Sequence, residues 1–317
     1  MISKETFFRE KENCEIPFSH IEEGITDPAL KKIDEIYGAA DVLSIKYSGM
    51  HERNLKIISI IVPLIAFLFL LYDEAELHWL IFVCLILIIL LYYYYTRTKK
   101  QNAHDKYLEY RVLAESLRAQ YFLSKAGVKK HVSEILPWFI KKGIPWINEI
   151  LLELPKNEMN EKMPILNCWI RDQRAYHQSA FTKAKNQKER DDRIEKIVLY
   201  ITIMFYVATL IFEVYMILYS PFNDVTANWN RAALKIIIGT MAVITIFLGK
   251  YYGKMSLSSK IDEHRRMSML YQKAENEILQ KREESEELII FLAREFLIEN
   301  TTWYAHQKKN KPDFTVE

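Results

Sequence analysis

Apolar residues in this chain gather in four blocks, and almost all of the charge lies between them. The first block, residues 57–72, reads IISIIVPLIAFLFLLY, with one proline and no charge. The second, residues 79–95, reads WLIFVCLILIILLYYYY and ends in four tyrosines. Crossing about 30 Å of hydrocarbon takes about 20 helical residues. Both blocks fall slightly short, and their aromatic and basic flanks make up the difference in the headgroup layer. The link at residues 73–78 has room only for a tight helical hairpin. Pro63 is expected to bend the first helix where neighbours satisfy the freed carbonyl. The third block, residues 197–220, is IVLYITIMFYVATLIFEVYMILYS; the fourth spans roughly residues 232–252. The uncharged core of the fourth, residues 236–249, has only 14 residues. Lys235 and Lys250 bracket it and can snorkel to opposite interfaces. Beside the long third block, it is read as the second arm of a second hairpin.

Lysine and arginine placement orients these hairpins. The acidic link Asp73, Glu74, Glu76 carries no basic residue, and the link at residues 221–231 carries one. The opposite ends carry Arg53, Lys56, Arg97, Lys99, Lys100, the run from Lys183 to Lys196, and Lys250, Lys254 and Lys260. The positive-inside rule therefore places both termini and the insert between the hairpins in the cytosol. No signal peptide is expected, since residues 1–53 are mostly polar. The expected organisation is a cytosolic N-terminal region (1–54), a first hairpin (55–95), a helical insert (96–196), a second hairpin (197–252) and a C-terminal helix and tail (253–317). The fold class is all-α: an integral membrane protein with four transmembrane helices and a helical cytosolic domain.

Within the cytosolic segments, Asp27 and Pro28 open a helix that is expected to end at Gly49. The second span is expected to continue as one polar helix to Ala126, with Gly127 as its stop. Shorter helices follow over residues 131–142, interrupted by Pro137, and 146–154. A loop spans 155–164, and a helix runs from 165 back to the membrane. Residues 255–298 read as one helix-length polar segment, with Leu257, Ile261, Tyr271, Ala274 and Ile278 at threes and fours. No alternating strand pattern stands out.

Composition removes several function classes. A net charge of +2 argues against binding duplex nucleic acid through bulk charge. Cys14, Cys84 and Cys168 are far apart with no metal-ligand spacing, so neither a disulfide framework nor a zinc site is expected. The eight histidines, among them His51, His104, His177 and His264, are scattered and read mostly as surface residues. Glu283, Glu284, Glu286 and Glu287 read as a solvated face. No phosphate loop, nucleophile elbow or metalloprotease helix is present, so no catalytic residue, cofactor or metal is assigned.

Two patterns could carry function. In the third block Thr202, Tyr206, Thr209 and Glu213 recur at helical spacing and share one face. A carboxylate inside a membrane helix is costly and normally faces protein or water. The stripe therefore reads as the lining of an oligomeric ion pathway, with Glu213 a ring of charge favouring cations. Equally, Glu213 could pair with Lys235 and the threonines could serve as helix–helix glue. The small residues Gly239, Thr245, Gly249 and Gly253 let helices approach closely, within the chain or between copies. The second pattern interleaves arginines with aromatics: Arg111 and Arg118 beside Tyr110 and Tyr121, and Trp169, Arg171 and Arg174 beside Tyr176. Such residues can grip phosphates and stack on bases. They can equally pack between helices through ion pairs, with Glu109 and Glu115 as partners.

Two hairpins flanking a helical insert resemble the four-transmembrane SMODS-associating effectors and the related SLATT membrane proteins of bacterial conflict systems. The similarity is carried by EYRVLAESLRAQYFLSKAG (residues 109–127), NCWIRDQRAYH (167–177) and AREFLIENTTWYAHQKKNKPDF (293–314). The resemblance implies a homo-oligomeric channel in the bacterial inner membrane, acting in an antiviral operon. A partner nucleotidyltransferase would supply a nucleotide second messenger, or, as in the Hailong type of system, a short DNA oligomer that holds the channel shut. The chain carries no recognisable SLOG or SAVED sensor, so sensing would fall to the cytosolic helices or to another protein. A single four-helix bundle is too narrow to conduct, so a pore requires several chains around an axis, and a tetramer is the expected assembly. A non-conducting scaffold that recruits a cytosolic partner is the alternative. A transporter has less to build on without broken helices.

Overall fold

A computed structural model of the chain describes residues 2–155, 163–219, 225–255 and 257–309, and it is helical with no strand among them. Asp27 opens the first long helix as expected: its Oδ1 accepts from the backbone N–H groups of Ala29 and Leu30, both at 2.9 Å. That helix, α2 (Pro28–Glu74), follows a short α1 (Lys4–Glu12) that has no counterpart in the expectations. Gly49 does not end α2, and the helix runs through Pro63 as well. One glycine costs about 1 kcal/mol in a helix, too little to break a segment whose continuation is a long apolar run.

After a turn with Glu76 at positive φ, α3 (Leu80–Gln101) begins. The expected continuous helix to Ala126 is instead broken at Asn102 (φ 50°), one of the few residue types at ease there. α4 (Ala103–Lys125) resumes and ends on Gly127 (φ 69°). Val128 N–H donates to the Leu123 carbonyl at 3.0 Å, and Gly127 N–H to that of Ser124 at 2.9 Å. These two bonds make a Schellman ending, which only a glycine meets without strain. Three short helices follow, α5 (Val132–Ile135), α6 (Trp138–Gly143) and α7 (Pro145–Leu152). The expected loop lies largely outside the described residues. The chain then enters a π-helical segment, Leu166–Arg171, and passes into α8 (Asp172–Tyr219). α9 (Val225–Met255) holds the fourth apolar block. The expected single C-terminal helix is two, α10 (Leu257–Lys281) and α11 (Glu286–Lys309), parted where Arg282 turns to φ 57°.

The chain divides into two compact units. One comprises Met1–His51, Asn102–Thr182 and Lys260–Glu317. Its three stretches, distant in sequence, close around one core. Trp169 stacks on Phe122 with ring centroids 5.2 Å apart, and meets Tyr271 and Phe296 edge-on. α11 packs along α4. Phe7 of α1 is buried against Tyr110 and Trp146. Acids of the N-terminal region reach α4: Glu10 accepts from Lys106 at 2.6 Å and from the Tyr110 hydroxyl at 2.9 Å, and Glu22 accepts from Tyr121 at 2.8 Å. Glu284, expected on a solvated face, instead accepts from the backbone N–H groups of Ile165 and Leu166 at 2.9 to 3.1 Å. It thereby caps the π-helical entry, whose first N–H groups lack helical partners.

The other unit comprises Glu52–Gln101 and Lys183–Ser259. Here Tyr94 donates to Asn54 at 2.7 Å and Lys235 pairs with Glu74 at 3.0 Å. Gly239 lets α9 approach α2: a Cβ there would stand 2.8 Å from Leu70 Cδ1. This small position therefore serves contact within the chain, while the surroundings of Gly249 and Gly253 lie outside those described. Among the described residues, three helices are long and apolar enough to cross a membrane, within Pro28–Glu74, Leu80–Lys125 and Leu166–Tyr219. Almost none of their most apolar stretches is buried within the chain.

Candidate functional site

Arg111 and Arg118 stand seven apart on α4, two turns along one face. Both close on Glu115 between them, with Arg111 Nη2 at 2.5 Å and Arg118 Nη1 at 3.5 Å from its carboxylate. Arg111 also reaches Asp41 at 3.1 Å, and Arg118 donates to the Tyr37 hydroxyl and lies over its ring. Glu115 is only 3% exposed. The Glu115 carboxylate raises the pKa of Arg111, so these guanidinium groups stay charged. Of the two expected acid partners, Glu115 is correct and Glu109 is not. Glu109 accepts the Trp146 indole N–H at 2.8 Å, and burial raises its pKa above the usual carboxylate range.

The second arginine group repeats the arrangement. Arg171 Nε donates to Glu275 Oε1 at 2.7 Å, and Arg174 pairs with the other oxygen of the same carboxylate. Arg171 also donates to Asn167 at 2.7 Å. Trp169 does not belong with them as a base-stacking surface: it is 0% exposed and stacks on Phe122 in the core. The π-helical entry, with Ile170 N–H reaching back to Ile165 at 3.3 Å, shifts register just where Trp169 turns inward and Arg171 outward. No spacing rule in the sequence signals it.

A third cluster escaped sequence reasoning. His177 of α8, His264 of α10 and Glu299 of α11 place one ligand-capable atom each within 4.8 Å of one another. The two Nδ1 atoms are 3.0 Å apart. His177, read as a surface residue, is 1% exposed and stacks on Tyr271 at 5.8 Å. Burial, then the neighbouring His264, lowers its pKa to about 4. Burial and Lys260 lower that of His264. Glu299 is pushed the other way, up to about 8, first by burial and then by the Glu115 and Glu263 carboxylates. His104 is also buried, its ring 4.5 Å from that of His51, so the surface reading fails for His104 too. Residues so distant in the chain leave no spacing to detect.

In the unit with the apolar blocks, the stripe residues share α8. Thr202 and Thr209 each donate to the carbonyl four residues back, at 2.8 Å. Tyr206 is 53% exposed on the single chain. Glu213 does not pair with Lys235. Arg231 holds it instead, with Nε 2.9 Å from Oε1 and Nη2 3.0 Å from Oε2, while Lys235 goes to Glu74. The guanidinium fork matches a carboxylate two bonds at a time, which a single ammonium cannot do. Comparison of the chain with protein-family models, curated proteins and solved structures returns no significant match in any of the three.

Proposed function

We propose that this chain is an oligomeric ion channel: four transmembrane helices in two hairpins, set in a bacterial inner membrane with both termini cytosolic. It acts as an anti-phage effector, gated by a nucleotide or short DNA oligomer that a partner nucleotidyltransferase makes. The observation that carries this reading is Glu213. Its side chain is 39% exposed on a single chain although Arg231 holds it in a forked ion pair. A carboxylate in that state on an apolar helix needs protein or water beside it rather than lipid. Thr202, Tyr206 and Thr209 extend the polar stripe, and a ring of such helices around an axis, as in a tetramer, supplies the aqueous path. Gating fits the cytosolic arginines as competition: a ligand's phosphates would take Arg111 and Arg118 from Glu115, or Arg171 and Arg174 from Glu275.

One observation favours a second reading, a non-conducting scaffold. All four arginines already hold carboxylate partners, so none of them needs a nucleotide, and their unit could serve only to recruit a protein. The two readings part in a planar bilayer. Purified protein is expected to give discrete currents that change on adding cyclic nucleotides or short deoxyoligonucleotides. A folded, oligomeric protein that stays silent under every condition would be the scaffold.

A further inference from the structure

We propose that His177, His264 and Glu299 form a binding site for a divalent transition metal ion, zinc first among them, through one imidazole nitrogen from each histidine and one carboxylate oxygen. Two imidazoles and one carboxylate are the ligand set of open, three-ligand zinc sites, in which water takes the fourth position. The geometry is close to what such an ion requires. Nitrogens bound at 2.0–2.1 Å on a tetrahedral ion lie about 3.3 Å apart, and the two Nδ1 atoms stand 3.0 Å apart. All three ligand atoms lie within 4.8 Å of one another, so gathering them takes side-chain rotation on the order of 1 Å.

Binding through both Nδ1 atoms would replace the hydrogen bond that they share. One further observation points to a cation. The Glu299 carboxylate makes no ion pair among the described residues although Arg266 stands near enough to act on its charge: Arg266 is held instead by Glu263 at 2.7 Å and Glu295 at 2.9 Å. The three ligands come from α8, α10 and α11, separated by long stretches of chain. Clips that close long loops are the ones expected to stabilise most, so a bound ion would act as a staple across three helices of this unit. The inference does not depend on whether the protein conducts.

The test uses the full-length protein, purified in detergent and stripped with a chelator. Titration with Zn²⁺ by calorimetry, and with Co²⁺ followed by its visible absorption, is expected to show one saturable site per chain. Zn²⁺ is also expected to raise the Tm, as any ligand selective for the folded state does. His264→Asn and Glu299→Gln, at positions less buried than His177, are each expected to weaken binding at least tenfold. Folded wild-type protein without a saturable site, or binding unchanged in both variants, would overturn the proposal.

Discussion

Glu115 and Glu213 are both carboxylates held by arginine, and they differ in what surrounds them. Glu115 is almost fully buried between two arginines of its own helix, with Asp41 and Tyr37 completing the group. Glu213 has a single arginine partner and remains exposed on the flank of an apolar helix. The first sits in a unit whose aromatic rings pack on one another in a closed core. The second sits in one whose apolar helices bury almost nothing within the chain. One unit closes its apolar side chains into a core of its own, whereas the other presents surface that lipid or further copies must cover. That contrast is the physical basis for reading the molecule as a membrane assembly.

The comparison breaks most readily at the core of the first unit. Trp169→Ala removes the ring shared by α4, α10 and α11 and is expected to cost about 3–5 kcal/mol. Chemical denaturation followed by tryptophan fluorescence would measure it, and a loss below 1 kcal/mol would mean that Trp169 is more accessible than it stands here. Next in size, Glu115→Gln leaves Arg111 with Asp41 and Arg118 with only the Tyr37 hydroxyl. Removing one partner from a buried ion group is strongly destabilising, here about 3 kcal/mol. A neutral effect on Tm would show that the arginines reach water and are free to meet a ligand.

The smallest effect is expected at Glu109, where pH supplies the sign. Burial raises its folded pKa above the unfolded value. The folded state therefore keeps the proton longer, and the group's contribution falls as pH rises from the unfolded value towards the folded one. Glu109→Gln can keep an acceptor for Trp146 and has no proton to lose. It should match wild type near pH 4, around the ordinary glutamate pKa, and exceed it in Tm progressively above that. Equal melting curves at every pH would place Glu109 in water.

Much of this architecture was legible in the residues. The apolar blocks and the Asp27 cap mark where helices run, because lipid-facing composition and capping act over a few residues. The breaks at Asn102 and Arg282 were not legible, since each depends on a left-handed residue that local propensity permits without requiring. Of the candidate site residues, Arg111, Arg118, Arg171 and Arg174 group by helical spacing, but their consumption by Glu115 and Glu275 is partly tertiary. Glu275 is distant in sequence from the arginines it joins, as His264 and Glu299 are from His177. The partner of Glu213 was mistaken because sequence distance alone does not separate Arg231 from Lys235, one turn further along α9.

The most direct test of the central claim is the reversal potential under a salt gradient across a planar bilayer, wild type against Glu213→Gln. Wild type is expected to prefer cations, and the variant, still folded and oligomeric, to lose that preference because the carboxylates are gone and Arg231 is left unpaired. Cation preference identical in the two proteins would remove Glu213 from the conduction path and, with it, the argument that carries the channel.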